Sequence, residues 1–303
     1  MKLHSLVVGP FQWRMRDGKW EFEFSPKQIL VGGGKTGVVP ATPDFARSAH
    51  LSMVAAGVFV NFVTGIFALR LAAETAPESP VQFGGLVALF GIWSLVLGAM
   101  NLVPFRTGAN YSDGAQLYQL LSNGTWADFQ RVFSVAGASL VTPVRPKDYD
   151  IEAIHRAART IDEGFQGLVL RLLAYNYYLD HERLTEAANA LRDAGLIYNQ
   201  SASEAPPELL MAFVFGSAYI CREASLARRW WTRMETLKPR LNVDYWLAAS
   251  ALHWVEANLK DAEESWQKGN TLAQELPKVG AYDFDCYCYS LLRYTLDHAA
   301  VTA

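Results

Sequence analysis

The residues most able to do chemistry in this 303-residue chain are few and scattered. Its six histidines are His4, His50, His155, His181, His253 and His298, and no His-Glu-x-x-His pairing occurs among them. Its three cysteines are Cys221, Cys286 and Cys288. Cys286 and Cys288 are separated by one residue, not the two of a redox or zinc knuckle, so all three are expected to be reduced, buried thiols. The acidic residue with the most telling position is Asp113. With Gly114 it follows Asn101-Leu-Val-Pro104, the end of a long uncharged run. An acid beside a broken apolar helix is costly unless it is functional. The plainer alternative is that Asp113 caps the next helix.

The elements that must position Asp113 are apolar. The chain is 51% hydrophobic and 19% charged, with a net charge of −3. That balance argues against a nucleic-acid partner, which favours a basic patch. The apolar excess is local. Between Arg47 and Arg70 the one ionisable side chain is His50, and between Glu78 and Arg106 there is none. Leu51–Leu69 and Ser79–Phe105 are uncharged runs of 19 and 27 residues, and a bilayer core needs about 20. The predicted spans are about 51–70 and 80–104, the second breaking near Pro104. Small residues, among them Gly57, Gly65, Gly91 and Gly98, allow close helix approach in lipid. Lys2, Arg14, Arg16, Lys19, Lys27, Lys35 and Arg47 precede the first span, and Arg106 follows the second. The positive-inside rule then places both termini in the cytoplasm of an integral protein of the cell (inner) membrane. No apolar segment that would mark a cleavable signal peptide follows the first basic residues.

Ahead of the spans, Gln12–Phe24 alternates around Asp17-Gly18, a type I′ turn signal. A β-hairpin over about 6–24 is expected, with Trp13, Met15, Trp20, Phe22 and Phe24 on one face. Val31–Gly37 reads VGGGKTG, but Ile29 stands where a Walker A loop needs its first glycine. A glycine turn, with no nucleotide, is the expectation there.

The order of these features resembles the site-2 protease family of intramembrane zinc metalloproteases. The hairpin with Val8-Gly9-Pro10 comes first, then Gly32–Gly34, a span with Ala56-Gly57 and Asn61, a span ending Asn101-Leu-Val-Pro104, and Asp113-Gly114 before an apolar helix. The resemblance covers about residues 3 to 121. It implies that Asp113 is a zinc ligand, supported by Asn61, Asn101, Pro104 and Gly114, and that the substrate is a membrane protein presented unwound or as a strand. In the family two histidines and a general base come from a His-Glu-x-x-His helix, which this sequence lacks, so the catalytic residues are unknown and zinc is not expected on this chain alone. Gly57-Val58 stands for the family's Gly-Pro, and Ser112 for a common Leu. Two expectations follow: a copy of the protease lacking its first helix, or a non-catalytic pseudoprotease or membrane scaffold.

From Trp126 the pattern is helical. Leu184/Ala187/Leu191, Ala224/Ala227/Trp231 and Leu259/Ala262/Trp266 share one spacing, with the alanines 40 and then 35 residues apart. An apolar helix precedes each. This resembles a degenerate tetratricopeptide array, whose repeats run to about 34 residues, and implies a protein partner on its concave face. Asn199–Pro207 reads as a loop between repeats. The predicted fold is mainly α: a polytopic membrane core with a small hairpin over 1–121, then a cytoplasmic tetratricopeptide-like domain over 122–303.

Overall fold

The computed structural model describes residues 2–8, 10–16, 19–25, 34–42, 47–75, 83–107, 110–201 and 205–302. The protein is mainly α, with a small antiparallel sheet. By contacts it divides into Ala46–Gln130 and a second unit made of Met1–Phe45 with Arg131–Ala303.

The sheet contains β1 (Lys2–Val8), β2 (Phe11–Arg16), β3 (Lys19–Phe24) and β4 (Gly34–Val39), in the order β3-β2-β1-β4. The expected hairpin is its β2–β3 half; Asp17-Gly18 lies outside the described residues. Alternation decides the faces. Phe11 pairs with Phe24, Trp13 with Phe22 and Met15 with Trp20, so these side chains share one side, and Phe11, Trp20, Phe22 and Phe24 stay exposed. Of the glycine stretch expected as a turn, residues 31–33 lie outside the described residues, and the remainder is a strand. Gly34–Gly37 belongs to β4 and pairs with β1. At Gly37 a Cβ would collide with the Ser5 hydroxyl, so the small residue permits the close strand approach.

In Ala46–Gln130, α1 (Arg47–Thr75) and α2 (Phe83–Leu102) are the two long apolar helices. Both are long and apolar enough to cross a membrane, with mean hydropathy 1.9 in each, yet only 22% and 17% of their apolar windows are buried. They cross where glycine meets glycine. A Cβ on Gly65 would lie 3.0 Å from the Gly91 carbonyl, and one on Gly91 would lie 2.9 Å from the Gly65 carbonyl. A two-stranded β5 (Arg106–Thr107) and β6 (Asn110–Tyr111) leads into α3 (Asp113–Ser122). The Arg47 guanidinium donates to the Leu121 carbonyl at 2.5 Å, while the start of α3 faces Gly57, so α3 runs antiparallel to the first turns of α1. The helix α4 (Thr125–Ala138) then carries the chain out of this unit.

The rest is helical: α5 (Ile151–Thr160), α6 (Gly164–Asp180), α7 (Leu184–Ser201), α8 (Pro207–Tyr219), α9 (Ala224–Thr236), α10 (Val243–Val255), α11 (Leu259–Gln274) and α12 (Gly280–Thr302). Helices pair as α6 with α7, α8 with α9 and α10 with α11, and α8 also packs on α10. Sequence decides the layers. Helices α8 and α10 are apolar all round and bury most of their length, whereas α9 and α11 keep a charged outer face. Ala187, Ala227 and Ala262 are each 0% exposed. The Ser250 hydroxyl donates to the Ala262 carbonyl at 2.8 Å, a backbone approach that a larger residue would hold apart. Of the loop expected at Asn199–Pro207, residues 202–204 lie outside the described residues; α7 continues through Ser201 and α8 begins at Pro207. Of the cysteines only Cys288 is buried; Cys221 is half-buried and Cys286 exposed, since Cys286 lies on the outer side of α12.

A segment at 139–149, between α4 and α5, ties the first and last inner helices together. The Arg145 guanidinium pairs with the Asp180 carboxylate at the end of α6, and the Lys147 amide donates to the same carboxylate at 3.0 Å. At the other end Gly280 N–H donates to the Thr142 carbonyl at 2.8 Å and Ala281 N–H to the Ser139 carbonyl at 3.0 Å.

Candidate functional site

The corner between α2 and α3 places Asp113. Proline disfavours helical backbone in the residue before it, so α2 stops at Leu102 and Val103 leaves the helix ahead of Pro104. Ser112 then locks the corner. Its hydroxyl donates to the Val103 carbonyl at 2.7 Å and accepts from Phe105 N–H at 3.1 Å and Ala115 N–H at 3.2 Å. Its own N–H donates to the Phe105 carbonyl at 3.0 Å. The N-cap is therefore Ser112, not Asp113. This role was hidden in the sequence, where Ser112 reads only as a departure from a common Leu; the signal was a serine just before an apolar helix.

Asp113 opens α3, where the helix dipole favours a negative group. Its Oδ2 lies 3.7 Å from where a Cβ on Gly57 would stand. The glycine surface of α1 thus admits the carboxylate, and no hydrogen bond to it occurs among the described residues. Gly114 is buried with its α-carbon against the Leu102 carbonyl, where any Cβ would collide. Asn61 is half-buried on α1, four residues beyond Gly57, and its Cβ would be 3.2 Å from a Cβ on Gly98 of α2. Asn101 is half-buried in the last turn of α2, and Pro104 is exposed. The structure therefore brings Asp113 and Gly114 to Gly57 and to the end of α2, and seats Asn61 on α2.

His50 was noted in the sequence only as the lone ionisable group of its run. It is 3% exposed and shares the face of α1 that carries Gly57 and Asn61, at spacings of seven and four.

Zinc needs three protein ligands in a catalytic site. Among the described residues no group of three or more His, Cys, Asp or Glu side chains could hold a metal. Among the described residues Asp113 supplies one carboxylate, short of the three ligands that a catalytic zinc takes. Comparison with known protein families, with curated protein sequences and with solved structures returns no match.

Burial pushes the Asp113 carboxyl above its ordinary range. The folded state then holds the proton more tightly than the unfolded chain. Stability is greatest below the ordinary carboxylate value, falls as pH rises through the raised one, and is level above it. Asp113→Asn is expected to flatten that slope and to raise the unfolding midpoint at neutral pH. Thermal unfolding of the full chain in detergent between about pH 3 and 8 reads this directly. A midpoint that drops at pH 7 in the variant would contradict it.

Proposed function

We propose that the chain is an integral membrane protein whose Ala46–Gln130 unit is the carboxylate-bearing part of a site-2-protease-like core, serving intramembrane proteolysis of membrane proteins. The observation that carries this reading is Asp113-Gly114 fixed at the exit of the second apolar helix, with the carboxylate against Gly57 of the first. The exposure of α1 and α2 supports the membrane assignment: core helices of a soluble protein would be mostly buried, and these are not. Phe59, Ile66, Phe67, Phe90 and Trp93 present large apolar side chains outward, a surface suited to lipid.

On this reading the two histidine ligands and the general base belong to a helix outside these 303 residues, and Asp113 completes the metal's ligand set. No catalytic step is assigned to this chain alone. The helices from α6 to α12 are the tetratricopeptide-like part, on the cytoplasmic side with both termini. A second reading is a non-catalytic scaffold that binds partners through those helices, supported by their pairing as α6 with α7, α8 with α9 and α10 with α11.

Two measurements test these statements. The full chain should stay with membranes after alkaline extraction, with a reporter at Ala76 external and one after Ala303 internal; recovery in the soluble fraction removes the membrane assignment. In cells that express the gene from its own locus, Asp113→Ala should abolish cleavage of a membrane substrate without releasing the protein from the membrane. Cleavage that persists removes Asp113 as a ligand. Partner binding without any cleavage in the unaltered protein selects the scaffold.

A further inference from the structure

Helices α5, α6 and α7 line an open cavity of about 440 Å³. We propose that this cavity is a binding site for a free α-amino acid with an apolar side chain, held as its zwitterion. The site is independent of Asp113 and of the membrane assignment.

Charges of both signs border the cavity without bridging one another. Arg171, near the middle of α6, is half-buried, and its guanidinium donates to the Ile161 carbonyl at 2.7 Å. That bond uses one of five donors and fixes the rest of the fork in place. Asp162, just beyond α5, and Asp193 on α7 are exposed. Both act on Arg171 electrostatically, yet neither forms a salt bridge with it among the described residues. Arg159, in the last turn of α5, is exposed and likewise lacks an ion pair among the described residues. The helix dipole accounts for Arg159, and the end of α5 accounts for one arm of Arg171, which satisfies a carbonyl there. Neither explains why two guanidinium groups and two unbridged carboxylates border one void.

The lining defines the ligand. A carboxylate fits between Arg159 and Arg171, because a guanidinium fork takes such a group through two parallel bonds. An ammonium group fits against Asp162 and Asp193. Leu170, Ala174 and Ala190 form a buried apolar floor, and the half-buried Tyr178 stands in the wall. The Tyr178 hydroxyl is already bonded to His155 at 2.7 Å, so its ring offers an apolar contact. The volume equals about fifteen waters of liquid, which is room for an aromatic amino acid. The carboxylates disfavour a nucleotide or another polyanion, and the guanidinium groups disfavour a polyamine. The interior of a peptide carries no such pair of opposite charges.

Calorimetric titration of the full chain in detergent tests this with phenylalanine, hydrocinnamate and phenethylamine. The last two keep the ring and one charge each. Phenylalanine should bind with unit stoichiometry, and each analogue should bind about tenfold more weakly, the loss of one charge-assisted contact. Arg159→Gln and Asp193→Asn change exposed side chains and should fold normally. Each should weaken phenylalanine by about the same tenfold factor. Phenylalanine that fails to bind, an analogue that binds as tightly, or unchanged affinity in either variant overturns the proposal. So does tighter binding of N-acetylphenylalanine amide, which keeps the shape, lacks both charges and stands for a peptide interior.

Discussion

Replacing Arg145 with alanine is expected to destabilise the helical unit by about 3–5 kcal/mol, the usual cost of stripping one partner from a buried ion pair. The Asp180 side chain is 0% exposed. Its carboxylate takes a forked guanidinium contact from Arg145, with Nε at 3.3 Å, and one amide bond from Lys147. Without the guanidinium a charge remains inside the fold with one backbone donor to satisfy it. The guanidinium also lies 5.1 Å over the Tyr287 ring, and the Tyr287 hydroxyl donates to Glu182 at 3.0 Å, so α12 loosens from the end of α6 as well. Urea unfolding of the full chain in detergent, followed by tryptophan fluorescence, gives the number. The double variant Arg145→Ala/Asp180→Asn should recover part of the loss, because it removes the stranded charge. A single variant within about 0.5 kcal/mol of the unaltered chain, the range of ordinary surface changes, would sink the argument.

The second large effect concerns the crossing of α1 and α2. Gly91→Val should break their pairing. Even the first carbon of the new side chain would stand 2.9 Å from the Gly65 carbonyl, 2.9 Å from Leu69 Cγ and 3.1 Å from the Leu69 amide nitrogen. Two of those three atoms are backbone and have no rotamer to escape into. Overpacking costs about 1–3 kcal/mol where side chains can shift, and here the helix axes must separate. Gly85→Val is the internal control, on the same helix with open space around the added carbon. Unfolding in mixed micelles of increasing dodecyl sulfate should show a large drop for Gly91→Val and little for Gly85→Val. Equal midpoints for the two would mean that the crossing is not a close one in solution.

Local features of the sequence predicted local features of the structure. The two apolar helices were legible because charge is missing from them, and the β2–β3 pair because apolar and polar residues alternate there. Pro104 marked the end of α2 through a constraint on its own neighbour. What was not legible depends on distant partners. Glycines are poor strand formers, so Gly34–Gly37 read as a turn; their strand is fixed by pairing with β1, which no local pattern reveals. Arg145 and Asp180 are 35 residues apart and look like any surface charges in sequence. From the repeat pattern alone, a fragment beginning at about Lys147 looks self-sufficient, yet it would omit Arg145 and leave Asp180 stranded. At the site, Asp113 and Gly114 were found from their order along the chain. Gly57 as the surface facing the carboxylate became visible only once α3 was seen to double back along α1.

The bonds from Ser139 and Thr142 to the first residues of α12 also bear on how the chain comes to be folded. A linear array of helix pairs can fold outward from any repeat, each pair stabilised by its nearest neighbours alone. Here the two ends are joined by contacts that span almost the whole unit in sequence, and such contacts slow folding because a long loop must close first. During synthesis residues 139–149 emerge well before their partners at Gly280 and Ala281, so Asp180 and its guanidinium can meet early while the α12 contacts wait for the end of translation. Amide exchange should therefore show α6 through α12 opening together, as one cooperative block rather than as separable repeats.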